Sequence, residues 1–227
     1  MVKPRLILIE GLPGSGKSST AEHLHRVLSF QGLSCSWFLE EDASHPVTPR
    51  SLRRTASLPG FADRCLRSWG DFVNAKRSSH RVFILEGCAL QSTVRFMVEC
   101  GCSQRDLSDY MTQFEALVAP LAPRLIHLYQ HDPARFMRSC VVPKRGPDWT
   151  TKVSSYLAST PCCQQRGWEG IDGMVRFWIH YQEICEDLFH RLGMPTLSIE
   201  NSSQDCAVIY DQIASWLLDP RPEGGVS

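Results

Sequence analysis

Residues Gly11 to Ser18 read Gly-Leu-Pro-Gly-Ser-Gly-Lys-Ser and follow directly on the apolar run Leu6-Ile7-Leu8-Ile9. The pattern G-x-x-x-x-G-K-[ST] constrains the fold because it works only between a buried strand and a helix. Its glycines let the chain turn tightly with the backbone N–H groups pointing inward. Those amides, with the positive end of the following helix, cradle phosphate oxygens. A lysine at position 17 reaches the β- and γ-phosphates, and a serine hydroxyl at 18 ligates Mg²⁺. The ligand class is a nucleoside triphosphate with Mg²⁺, held by Gly11, Leu12, Pro13, Gly14, Ser15, Gly16, Lys17, Ser18 and Ser19, and the motif leaves ATP and GTP both open. A chance match in a chain of 227 residues has a probability of roughly 1%. Both flanks agree with the motif. Ala21, Leu24, Val27 and Leu28 recur at helical spacing, and Gly32 stops that helix.

Five short apolar segments alternate with helical stretches: Arg5–Glu10, Ser34–Leu39, Val82–Leu85, Leu125–Tyr129 and Thr196–Ile199. Runs of this kind are strands of a buried parallel sheet. Helical stripes lie between and after them, at Leu107–Val118, Met174–Leu192 and Cys206–Leu217. The expected fold is a three-layer, doubly wound α/β domain with a five-stranded parallel sheet, spanning residues 1–219. Residues 220–227 read as a disordered tail of Pro and Gly.

Net charge is zero, which weighs against nucleic acid as a partner, although Arg50, Arg53, Arg54, Arg64, Arg67, Lys76 and Arg77 crowd one stretch. No apolar run approaches the eighteen or more residues of a membrane span, and the N-terminus lacks a signal-peptide core. A cytoplasmic location is expected, and a homodimer stays open. The ten cysteines include no C-x-x-C pair, so a zinc site has no support. Most read as small buried hydrophobes. Cys162-Cys163 is read as lying in a polar loop.

Two segments break the alternation and are read as functional insertions. Residues 44–80 form a helical, acceptor-side segment. Residues 138–170 form a lid, and within it 143–170 shows few helix or strand signals. Carboxylates stand at the strand ends between them: Glu40-Glu41-Asp42 after the second strand and Glu86 after the third. One such group can take a proton from an acceptor while another holds Mg²⁺. Residue types alone leave open which of Glu40, Glu41, Asp42 and Glu86 is the base.

Together these features resemble the P-loop kinases of the nucleoside and nucleotide kinase group. Ile9-Glu10-Gly11 running into Gly14-Ser15-Gly16-Lys17-Ser18 is similar to the opening of thymidylate kinases. Leu39-Glu40-Glu41 resembles the strand end that carries the catalytic carboxylate in deoxynucleoside kinases. Leu85-Glu86-Gly87 is similar to their third-strand Glu-Arg-Ser segment, with Gly87 where the arginine would be. Asp132-Pro133, Arg138 and Lys144-Arg145 resemble their fourth-strand exit and arginine-bearing lid. No Asp-Arg-Tyr triplet follows the third strand, which sets the chain apart from thymidylate kinase itself.

The resemblance implies a kinase that moves the γ-phosphoryl group of Mg-ATP to a small hydroxyl or phosphate acceptor of nucleoside or nucleotide type. Lys17, Glu41, Glu86, Arg138 and Arg145 form its expected catalytic set, and Ser18 and Glu86 its metal ligands. Asn201, with Ser202 and Ser203, is placed at the purine. Glu40, Asp42, His45 and Gln91 are placed at the acceptor. Most of these residue types have ordinary uses too, as solvated arginines, a loop histidine, a helix-surface glutamine or a serine N-cap. Trp149 and Trp168 fit packing under the lid better than stacking on a ligand. The alternatives are an antibiotic-type or modified-DNA-base kinase and, in a different class, a slowly hydrolysing nucleotide switch. A GTP-dependent switch usually carries an Asn-Lys-x-Asp segment, and this chain has none.

Overall fold

The structure is a computed structural model that describes residues 3–40, 42, 45–47 and 60–218. Glu41, Arg50, Arg53, Arg54 and the 220–227 tail lie outside the described residues. The elements that position the site begin with β1 (Leu6–Gly11), α1 (Lys17–Phe30) and β2 (Cys35–Phe38). They continue with α2 (Phe61–Lys76), β3 (Val82–Glu86), a wide turn over Leu90–Val94, α3 (Arg95–Glu99) and α4 (Gln104–Val118). β4 (Pro123–Tyr129) leads to α5 (Pro133–Phe136), α6 (Val142–Ala158), α7 (Pro161–Arg166) and α8 (Gly170–Phe189). β5 (Thr196–Glu200) and α9 (Cys206–Leu218) close the order.

The five strands form one parallel sheet in the order β2-β3-β1-β4-β5. β1 is central and fully buried, as its unbroken apolar run requires. Connections run outward on both sides of β1, so a crevice opens beyond its carboxyl end. Alternation along β1 splits the core between the two faces. Ile7 and Ile9 pack with Ala21 and Leu24 of α1 and Ile209 and Ile213 of α9. Leu6 and Leu8 join the larger core, with Trp69 of α2, Phe114 of α4 and Phe177 of α8. The same parity aims Glu10 at the larger core.

Two expectations need correction. Most of residues 143–170 is helical, in α6 and α7, rather than irregular. Trp149, Val153 and Leu157 recur every four residues and pack on the core, the spacing of one helix face. Gly146 (φ 80°, ψ 174°) breaks α6 just before Pro147, and that break hides the periodicity. Cys162 and Cys163 sit on α7 and are buried, not in a polar loop. Burial pushes both thiols up, so neither has the low pKa of a reactive cysteine.

Candidate active site

The Gly11–Ser18 loop sits in the crevice. Gly11 has φ 151°, and a Cβ there would lie 2.4 Å from the Leu128 carbonyl oxygen. Only glycine lets β1 run so close to β4 while the chain turns away. Gly16, with φ 90°, opens α1. No acidic residue occupies the first turn of α1, so its positive end is free to meet an anion. Asn201, just beyond β5, donates from Nδ2 to the Ser15 carbonyl at 2.6 Å. It braces the loop. Ser203 accepts from the Asp205 amide, whereas Asp205 accepts from the amides of Ala207 and Val208. Asp205 therefore caps α9 in place of the expected serine.

Lys17 is only 6% exposed. Its Nζ donates to the carbonyls of Gly11 (3.2 Å) and Leu12 (2.9 Å). Burial pushes its ammonium down, and the carboxylates of Glu86, Glu40 and Glu10 oppose that shift. Ser18 donates from Oγ to Glu86 Oε1 at 3.1 Å, and the Glu40 amide donates to the same oxygen at 3.2 Å. Burial raises the Glu86 carboxyl, and the Lys17 charge works against it. Ser18 and Glu86 thus place two hard oxygen donors beside the lysine, a set suited to Mg²⁺. Among the described residues no group of three or more His, Cys, Asp or Glu side chains could hold a metal. A Mg²⁺ ion here would draw its remaining ligands from phosphate and water.

Glu40 lies at the exit of β2. It accepts from Gln91 Nε2 at 3.0 Å and from Ser92 Oγ at 2.9 Å, one on each oxygen. Gly87 explains why no arginine follows Glu86. It has φ 61°, and a Cβ would approach Glu40 Oε2 to 3.0 Å. Gly87→Ala is expected to cost about 1–2 kcal/mol from the left-handed backbone alone and to shift Glu40. Chemical denaturation checks the first effect, and the turnover of the folded variant checks the second.

The other expected residues distribute unevenly. Asp42 accepts from the Leu39 amide at 2.8 Å and shapes the turn after β2. His45 is buried and accepts from the Val47 amide through Nδ1 at 3.1 Å, and burial lowers its pKa. Arg145 lies close enough for its charge to lower the Lys17 pKa, and its guanidinium packs over the Trp149 ring. Arg138 is 53% exposed and pairs with Asp172 at 2.7 Å. Trp149 and Trp168 pack against the core.

Sequence reasoning missed two parts. Ser92 is the second hand on Glu40, and nothing in its spacing marks it. An open cavity of about 790 Å³ lies beyond the ends of β4 and β5, lined by Tyr129, His131, Arg135, Phe136, Glu200 and Ser202 among others. Asp132-Pro133 was the available signal. Asp132 caps α5 through the Arg135 amide at 2.9 Å and so places Arg135 on the cavity wall. No helix among the described residues is long and apolar enough to cross a membrane.

No protein-family profile matches the chain. No curated protein matches it either. Among solved structures it is similar to a deoxyadenosine kinase from M. mycoides with bound dATP, at 14% identity and a TM-score of 0.47. The match covers 94% of this chain and 100% of that one. That likeness is one of chain trace alone.

Proposed function

We propose that this chain is an ATP-dependent phosphotransferase acting on a small hydroxyl or phosphate acceptor of nucleoside or nucleotide type. One observation carries the reading: Ser18 and Glu86 meet at 3.1 Å beside a buried Lys17 on a strand–loop–helix phosphate cradle. The loop amides and Lys17 bind the β- and γ-phosphates. Ser18 and Glu86 hold Mg²⁺, which when bound neutralises phosphate charge. The cavity bounded by Tyr129, His131 and Arg135 takes the nucleobase of the donor. Arg145 brings positive charge toward the transferring group, where charge spreads over three oxygens.

Glu40 is the base in this reading. It takes the proton of the acceptor hydroxyl as that oxygen attacks the γ-phosphorus. The bond to the β–γ bridging oxygen breaks, and ADP leaves. Gln91 and Ser92 hold the carboxylate in place for that transfer. Glu41 remains a proposed base beside it, and Asp42 and His45 shape the acceptor wall.

A titration of the purified protein with Mg-ATP tests the donor half. Lys17→Ala is expected to weaken binding at least about tenfold, the effect of losing one charge-assisted hydrogen bond. A wild-type protein that does not bind Mg-ATP ends this reading. Incubation with γ-labelled ATP and pooled nucleosides, nucleotides and aminoglycosides then identifies the acceptor class by the labelled product.

A further inference from the structure

Glu10 has no exposed surface, yet it stands in the central strand, one residue before the phosphate loop. A buried carboxyl needs partners, because its desolvation is costly. Both of its oxygens have them, and neither partner belongs to the phosphate loop. Oε1 accepts from the Ala89 amide at 2.8 Å, and Oε2 accepts from the Gln91 amide at 3.0 Å.

Those amides open the wide turn over Leu90–Val94. The first N–H groups of any helical turn lack partners inside it, and Glu10 supplies them from the neighbouring strand. Arg95 holds the same turn from its far side, donating from Nε to the Gln91 carbonyl at 2.9 Å. This turn also carries Gln91 and Ser92, whose side chains hold the two oxygens of Glu40. A continuous path of hydrogen bonds therefore runs from Glu10 on β1, through the turn after β3, to Glu40 beyond β2.

We infer that Glu10 is a positioning residue: by fixing the amides of Ala89 and Gln91 it sets the geometry in which Gln91 and Ser92 hold Glu40. This inference rests on the phosphotransfer reading above. It explains why a carboxyl stands in an otherwise apolar strand. A leucine at this place would continue the Leu6–Leu8 stripe and leave the Ala89 and Gln91 amides without these acceptors.

The test uses the full chain and Mg-ATP, with water as the acceptor. Affinity is read by calorimetric titration, turnover by ADP release, and the turn by hydrogen exchange at the amides of residues 89 and 91. Glu10→Gln is expected to leave Mg-ATP affinity within about threefold and to lower turnover by up to about a hundredfold, the scale of a small misplacement of a reacting group. Exchange at both amides is expected to rise. In the Gln91→Ala/Ser92→Ala background Glu40 is already released. There Glu10→Gln is expected to lower turnover by less than about threefold, because residues acting through one another are not additive. A purely structural role predicts an equal loss in both backgrounds, and that result overturns the inference. So does wild-type turnover in Glu10→Gln. Should that variant not fold, Glu10→Asp keeps a carboxyl, shortens the reach and is expected to give the same pattern. A wild-type protein that neither binds nor hydrolyses Mg-ATP overturns the phosphotransfer reading instead. Normal binding with unchanged amide exchange in the variant overturns only the role of Glu10.

Discussion

Glu40→Gln is expected to slow phosphoryl transfer from Mg-ATP by about 10²–10⁴-fold, the usual contribution of a positioned general base. The amide of glutamine keeps the shape of the side chain but cannot take a proton. The backbone N–H of residue 40 still donates to Glu86, so the proposed metal-binding pair with Ser18 is undisturbed. Mg-ATP affinity should therefore change only a few-fold. Loss of turnover with binding intact identifies a group used in the transition state rather than in the ground state. Glu86→Gln differs, because Glu86 is bonded to Ser18; it should raise the Mg²⁺ concentration needed for activity. Single-turnover rates at saturating Mg-ATP separate the two variants. A Glu40→Gln protein that transfers phosphate at the wild-type rate removes Glu40 from the role of base and leaves Glu41 as the carboxylate to test.

Much of this layout is legible in the residue pattern alone. Each strand segment expected from that pattern ends within two residues of its observed bounds, because buried parallel strands are short apolar runs bounded by polar chain. The turn at Gly11–Ser18, between β1 and α1, is legible because its glycines and lysine stand at fixed offsets between an apolar run and a helical stripe. Glu86 is legible because a carboxylate directly after Phe83-Ile84-Leu85 has few inert explanations. The long helix α6 is not legible, since Gly146 and Pro147 interrupt it and imitate a loop. The proposal of Glu40 as base does not follow from Glu40-Glu41-Asp42, where three acids are equivalent in type. It emerges from Gln91 and Ser92, which lie about fifty residues away along the chain. Arg138 shows the opposite limit. Arg138, an expected lid arginine, pairs with Asp172 on the surface, a partner its own stretch of sequence does not show. Long-range pairing of this kind depends on topology that local pattern does not carry.

Glu10→Gln is also expected to change how stability depends on pH. Burial pushes the Glu10 carboxyl from 4.5 up to about 7, against the opposing pull of the Gln91 and Ala89 amides and the Lys17 charge. Lys17 on α1 is the cation that acts on it, while the thiols of Cys88 and Cys185 and the hydroxyls of Tyr110 and Tyr181 surround it and stay protonated. The unfolded chain releases the proton near 4.5, and the folded chain holds it until about 7. Between those values the native state binds more protons, so stability falls as pH rises. The full shift corresponds to about 3 kcal/mol. It is present below pH 4.5 and lost above about 7. Glutamine does not titrate, so the variant lacks this slope. Denaturant unfolding of both proteins from pH 4.5 to 8, taken as a difference, cancels the other titrating groups. The wild-type advantage is expected to shrink by about 3 kcal/mol across that window. A difference that stays flat would show that Glu10 keeps an ordinary carboxylate pKa, and that its two amide bonds and Lys17 fully offset its burial.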